Sequence, residues 1–283
     1  MRRIHFSLTL MGVLVFTLLS CHRVPITNRA QTRLIPASQI NSLSFQQYSA
    51  FLQENPPVSG SSDVDRVRRI GQRLVKAVEV YYRANELEGE LQQFQWEFNV
   101  VQDELVNAFC MPGGKVVVYT GILPVAQTDD GLAVVMGHEI AHALAHHGNE
   151  RMTHSLGLNG ALTVIDAALA VNAAQSETVQ QAQQREQARQ YIMAAAGIGA
   201  QVGIMLPFSR KHESEADRIG LILMAIAGFD VDAAAPFWQR MQAKGGEVPP
   251  EFLSTHPHPE TRADNLNKWS DEAREYGRQY SIY

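Results

Sequence analysis

Residues 138–142 read His-Glu-Ile-Ala-His. Positions four apart on a helix share one face, one turn from each other, so His138 and His142 can direct both imidazoles at a single metal ion. Glu139 leans toward the same pocket, where a carboxylate can take a proton from a metal-bound water. Zinc is the usual ion of such a pair, and a catalytic zinc takes three protein ligands and keeps one position open. The pattern predicts a zinc-dependent hydrolase, and a peptidase first among hydrolases.

The third ligand must come from elsewhere. His146 lies near the same face, but eight residues of straight helix separate it from His138 by about 12 Å along the axis. Bonds of about 2 Å cannot span that distance. His146, His147 and His154 therefore read as surface residues or as residues behind the ligands. The metzincin extension would require Gly and His where Ala145 and Gly148 stand. Residues 209–217, Ser-Arg-Lys-His-Glu-Ser-Glu-Ala-Asp, supply a better candidate. Glu213 and Asp217 are one turn apart on one face, and an apolar sequel over residues 219–227 predicts burial of that helix. Crossing it against the first helix would bring Glu213 to the metal and let Asp217 accept a hydrogen bond from a ligating imidazole. Glu215 points roughly 200° away from Glu213 and is expected in solvent.

The elements that must position these groups follow from hydrophobic period. Val64, Val67, Ile70, Leu74, Val75, Val78 and Tyr82 predict a helix over residues 63–88. Residues 94–101 read as a strand. Residues 105–110 and 115–120 flank Met111-Pro112-Gly113-Gly114, a turn signal, and predict a β-hairpin. Thr128, Asp129 and Asp130 supply an N-cap and acidic first turn for a helix running to about residue 151. Ser209 reads as the cap of the next such helix, which Gly228 ends. Shorter helices are expected over residues 38–53, 233–244 and 260–280, with a loop at 249–259. Residues 191–208 carry no charge and are long enough for a membrane span, but Gly197, Gly199, Gln201 and Gly203 favour a buried helix beside the active-site helix.

The N-terminus is expected to lie outside the fold. Arg2 and Arg3 precede an apolar run, which ends in Leu18-Leu19-Ser20-Cys21. Residues 1–20 read as a bacterial lipoprotein signal peptide with Cys21 as the lipidated residue, and residues 21–61, polar and Pro-containing, as a lipid tether and linker. His22 rather than Asp after the cysteine points to the outer membrane, with the protein facing the periplasm. With two cysteines in the chain, lipidation of Cys21 would leave Cys110 alone and no intrachain disulfide. Residues 62–283 form the expected catalytic domain. The chain holds 24 basic and 29 acidic residues and no basic block, so nucleic acid is excluded as a partner. Membrane contact is expected through acyl chains only.

The combination of His138-Glu139-Ile140-Ala141-His142 with Glu213-Ser214-Glu215-Ala216-Asp217 resembles the HtpX and CAAX-prenyl-protease type of gluzincin, peptidase family forty-eight, in its small exported and organellar branch. Asn107-Ala108-Phe109 before Pro112-Gly113-Gly114, and Ser254-Thr255-His256-Pro257, match that branch too. The resemblance covers about residues 60–270. It implies an α+β, mainly α, zincin-like fold with a small antiparallel sheet or hairpin beside the two-His helix. It implies one zinc on His138, His142 and Glu213, with Glu139 as general base and Asp217 orienting a ligand. Arg262 sits where members carry a site-supporting arginine. His256 would either stabilise the oxyanion or occupy the open position at rest. Asn107, Ala108 and Phe109 would serve as an edge strand for an extended substrate. The expected function is a zinc endopeptidase that removes unfolded or misfolded envelope proteins; the alternative is a chaperone or assembly factor for outer-membrane proteins with little proteolysis.

Overall fold

The computed structural model describes residues 21–174, 180, 181, 183, 184, 186, 187, 190, 193, 205–244, 252, 256 and 262–282. The expected signal peptide, most of residues 191–208 and most of the loop at 249–259 lie outside them.

In chain order, strands β1 (Cys21–Arg23) and β2 (Ala30–Thr32) form a small hairpin, followed by helices α1 (Ala37–Glu54), α2 (Ser62–Ala84) and α3 (Glu88–Leu91). Strands β3 (Glu97–Val101), β4 (Ala108–Met111) and β5 (Lys115–Tyr119) come next. Helices α4 (Leu123–Ala126), α5 (Asp129–Leu144), α6 (His147–Ala174), α7 (Leu206–Ile226), α8 (Ala234–Lys244) and α9 (Arg262–Tyr280) complete the described chain. The predicted hairpin is β4–β5, antiparallel from Ala108 opposite Val118 to Met111 opposite Lys115. Its turn needs left-handed backbone at Gly113 (φ 83°) and Gly114 (φ 91°), which a side chain would disfavour. Strand β3 adds to β5 in parallel, so the sheet is mixed, in the order β3-β5-β4, with β4 at an edge.

Helix α5 carries the two-His motif. Every residue from Gly131 to Leu144 is buried, as expected of a helix apolar on all sides. It packs against α2, β4, α4, α7 and α8. The Thr128 side chain accepts from Gly131 N at 3.1 Å, and Asp129 and Asp130 occupy the first turn. The predicted continuation to residue 151 fails. His146 takes φ 50°, and Gln31 Nε2 donates to the carbonyl of Ala145 at 3.0 Å. The chain turns there and restarts as α6, which swings the His147 ring back toward His142. Ser209 does not cap α7 either. That helix begins at Leu206, with Pro207 in its first turn and no side-chain cap, since proline is pre-set for a first helical turn.

Helices α5 and α7 touch backbone to backbone. A Cβ built on Gly220 would lie 2.9 Å from both the carbonyl carbon of Gly137 and the amide nitrogen of His138. This contact fixes how near α7 comes to the two-His face.

The segment read as a tether is largely folded. Val24 belongs to the core, Ile40 and Tyr48 are buried, and Arg29 pairs with Glu150 of α6 and Glu215 of α7. Its polarity reflects charged partners inside the domain rather than solvent. Leu156, Val164 and Ile165 on α6 are exposed. Among the described residues, no helix is long and apolar enough to cross a membrane.

Replacing Gly220 by Ala should push α7 off α5 and cost about 1–3 kcal/mol, the range for overpacking. Urea unfolding measures it. A variant as stable as the parent would show that this helix contact is slack.

Candidate metal centre

His138 and His142 project from successive turns of α5, and their Nε2 atoms stand 3.1 Å apart. Helix α7 brings Glu213 over them: Oε2 is 3.2 Å from His138 Nε2 and Oε1 is 3.4 Å from His142 Nε2. His256 completes the group, with Nδ1 at 3.1 Å from Glu213 Oε2 and 3.4 Å from His138 Nε2. Phe252 holds its ring by stacking at 4.4 Å. Donor atoms bound tetrahedrally at about 2.0–2.1 Å from one ion stand about 3.3 Å apart. The spacings here match that figure. Glu213 is fully buried, and its Oε1 has no hydrogen-bond partner. Three imidazole nitrogens and a carboxylate in this arrangement fit a divalent cation.

Behind each imidazole of α5 stands a buried polar chain. His138 Nδ1 is 2.8 Å from Asp217 Oδ1, and Asp217 also accepts from Arg262 Nη2. Arg262 is buried and lies over the Trp238 ring, 3.2 Å from its centroid. A carboxylate there holds the proton on Nδ1 and frees Nε2 to face the centre. On the other side, His142 Nδ1 is 2.8 Å from His147 Nδ1, and His147 Nε2 is 3.0 Å from Glu215 Oε2. With Nε2 of His142 facing the centre, its Nδ1–H donates to His147, whose Nε2–H donates to Glu215. Glu215 in turn accepts from Thr27 and, at 2.8 Å, from Arg29 Nε. The expectation that Glu215 is solvated is therefore overturned: it is 8% exposed, covered by the N-terminal segment. His147 is fully buried, whereas His146 is partly covered and stacks on Phe94 at 6.1 Å. A second buried knot lies alongside, with the fork of Arg29 on Glu150 at 2.7 and 2.9 Å and His212 Nε2 on Glu150 at 2.9 Å.

Glu139 faces the same centre. Its Oε2 accepts from the backbone N–H of Cys110 at 3.1 Å. Its buried Oε1 has no hydrogen-bond partner and lies 3.6 Å from His256 Nε2. Edge strand β4 thus turns one N–H straight at this carboxylate. Of the three residues expected on that strand, Asn107 precedes β4 and bonds it to Tyr119 N, and the N–H of Ala108 is taken by the Asn107 side chain. The Phe109 ring packs on Phe51 and Tyr119, in a separate small core.

Burial and charge set the protonation states. Burial pushes the Glu139 carboxyl up, against the pull of His256 and His138. Burial also works to raise Glu213, but the surrounding imidazoles of His142, His138 and His256 hold it well below the usual carboxylate range. Burial takes His142 down to about 3 and His147 well below its ordinary value, so the His142–His147 relay is neutral. Desolvation opposes the His138 imidazolium as well, yet its bonds to Asp217 and Glu213 bring that ring to about 9; a cation at the centre would compete for that proton.

His138, His142, Glu213, His256, Glu139, Asp217 and Arg262 all come together, as the residues singled out in the sequence. His147, read as a surface residue or one behind the ligands, stands behind His142, whereas Arg29, Glu150, His212, Glu215, Trp238 and Phe252 were not assigned to the site. The adjacent His146-His147 pair was the available signal for the relay, and the turn at His146 concealed it. Cys21 lies in β1, away from these residues in the chain.

The family model described as Peptidase family M48 matches residues 63–270. The chain is similar to the mitochondrial metalloendopeptidase OMA1 of Schizosaccharomyces pombe, 36% identical over 186 residues, covering 65% of this chain and 49% of that protein. It is 31% identical over 255 residues to the human metalloendopeptidase OMA1, covering 88% of this chain and 46% of that one. It is 32% identical over 183 residues to the beta-barrel assembly-enhancing protease of Escherichia coli O157:H7, covering 61% and 34%. The chain therefore spans about half or less of the length of these curated relatives.

Acid should weaken the knot beside the centre. Burial works against the Glu150 carboxylate, but His212 and Arg29 more than offset it, taking the group from 4.5 to about 2. A carboxyl depressed on folding contributes stability that is full above its unfolded value and is lost as pH falls through its folded one. Urea midpoints should drop between about pH 4.5 and pH 2, and less steeply in Glu150→Gln. Equal slopes in both proteins would remove Glu150 from the acid response.

Proposed function

This chain belongs to peptidase family M48, and from that premise we propose that it is a zinc-dependent endopeptidase of the bacterial cell envelope, held at the outer membrane by lipid on Cys21, that degrades or processes unfolded and misfolded envelope proteins. The observation that carries the catalytic part is the four-donor group of His138, His142, Glu213 and His256, with a carboxylate oxygen of Glu139 left unpartnered beside it. The names of the relatives as metalloendopeptidases and as an assembly-enhancing protease support the reaction class. The apolar N-terminal run ending at Ser20-Cys21 supports the lipid anchor.

His138, His142 and Glu213 would hold zinc, with His256 beside them. When bound, zinc supplies a Lewis acid for the scissile carbonyl and brings the pKa of a water it holds toward neutrality. The protein's own residues do the rest. Asp217 and His147 fix the two α5 imidazoles by their Nδ1 atoms. Glu139 takes a proton from the attacking water on Oε1 and returns it to the leaving nitrogen, a task suited to a carboxyl whose pKa burial has raised. His256 would stand within reach of the developing oxyanion. An extended polypeptide adds along β4 through its outward carbonyls, the outward N–H groups of Ala108 and Cys110 being engaged within the chain, and such main-chain recognition suits unfolded clients.

Zinc-loaded full chain should cut casein, and chelator should stop it, with fragments read by mass spectrometry. Glu139→Gln should reduce cleavage about 100- to 10,000-fold while the protein still retains zinc. A mutant that cuts as fast as its parent contradicts the assignment of the base. A wild type that binds casein and leaves it intact favours the chaperone reading instead.

A further inference from the structure

Arg29 and Arg33 lie four residues apart and differ sharply in their surroundings. Arg29 is saturated by Glu150 and Glu215. Arg33 forms no ion pair among the described residues, and its Nε is buried with no hydrogen-bond partner. Glu90, Tyr82 and Glu150 contribute to the field at Arg33, but burial outweighs them and lowers its pKa. Two imidazoles share this environment. The charge of Arg33 acts on both His22 and His146, and His146 Nε2 is also buried and unpartnered.

These groups border one open space. A cavity of about 1000 Å³ is lined by Arg33, His22, Asn41, Gln93, Gln95 and Asn149, with Glu90 at its wall. A second, smaller cavity of about 80 Å³ lies beside it, lined by His146, Pro112, Cys110 and His142. Asn41 and Asn149 line both. The shared walls set Arg33, the proposed metal ligand His142 and Cys110 of the edge strand around two adjacent cavities. Its walls are fastened. Leu34 N donates to Thr153 at 3.1 Å, Asn149 Nδ2 to the Ile35 carbonyl at 2.7 Å, and Asn41 Nδ2 across to the Gln93 carbonyl at 2.8 Å. Such a site is formed before any ligand arrives.

A part-buried guanidinium without an ion-pair partner among the described residues is costly, and its planar fork matches a carboxylate in two parallel hydrogen bonds. We propose that this cavity is a substrate subsite that receives a carboxylate of the polypeptide being cut, from an acidic side chain or from its C-terminus, with Arg33 as the principal partner. The inference rests on the peptidase reading and adds to it a preference at a fixed distance from the scissile bond. The N-terminal segment is then one wall of the substrate cleft, and a carboxylate seated there sets the register of the chain along β4.

The test separates this subsite from the reaction. A proteome-derived peptide library cut by the zinc-loaded full chain should show Asp, Glu or the C-terminus enriched at one spacing from the cleaved bond. A fluorescent peptide taken from that set, with Glu or Gln at the enriched position and with a free or amidated C-terminus, is then bound to Glu139→Gln protein, so that no cleavage is needed. The acidic form should bind at least about tenfold more tightly than its neutral partner, and the arm that shows the difference identifies the source of the carboxylate. Arg33→Gln should bring the ratio close to one, Arg33→Lys should keep part of it, and Arg33→Glu should favour a Lys-containing peptide. Equal binding of acidic and neutral peptides, or a preference unchanged in Arg33→Gln, overturns the subsite. Should Arg33→Gln fail to fold, the acid-to-neutral comparison on the Arg33 protein still decides. If the library is left wholly uncut, the same comparison is made with unselected Glu and Gln peptides, and an acidic preference there counts against the peptidase reading and not against the subsite.

Discussion

A carboxylate on one helix can meet two imidazoles on another only if the helices nearly touch. Here the contact is Gly137 against Gly220, where backbone meets backbone and a side chain has no room. Glu213 stands two turns before Gly220 on α7, and His138 follows Gly137 directly on α5. The closeness of the crossing sets the distance from carboxylate to imidazole, and with it whether three donors can share one ion. The rest of the fold serves this pair of helices. The core of α2, α8, α9 and the sheet wraps them, and β4 runs alongside so that its outer N–H reaches Glu139.

Each imidazole of α5 is held by the atom that does not face the centre. For His138 the holder is a carboxylate paired with an arginine. For His142 it is a second, neutral imidazole backed by Glu215 and then by Arg29. A fully buried Glu213 beside these rings is a costly arrangement without a cation, so the polar chains keep the donors in place while the centre supplies the binding energy. The N-terminal segment joins the domain through this second chain. Arg29 ties three elements together by reaching α6 and α7 from the loop between β1 and β2.

The catalytic constellation was legible because its parts recur at helical spacing. His138, Glu139 and His142 fix one helix face, and Glu213 and Asp217 fix another. Burial of both helices followed from their apolar neighbours, and the β4–β5 hairpin from Pro112-Gly113-Gly114. What could not be read was long-range and polar. The turn at His146 depends on Gln31 meeting the end of α5, more than a hundred residues away. Residues 21–61 look like linker because they are polar, yet Arg29 finds carboxylates that the sequence distributes over α6 and α7. Glu215 was assigned to solvent by helix geometry alone, which gives the direction of a side chain but not what else folds onto that side. The start of α7 at Pro207 rather than Ser209 shows the same limit, since either residue can open a helix.

X-ray absorption at the zinc edge, on full-length protein purified without chelator, tests the central claim most directly. Zinc on these residues gives nitrogen and oxygen scatterers at about 2.0–2.1 Å, the outer-shell signature of imidazole, and no sulfur. A zinc–sulfur distance near 2.3 Å, or a first shell without imidazole, would place the metal elsewhere and contradict it.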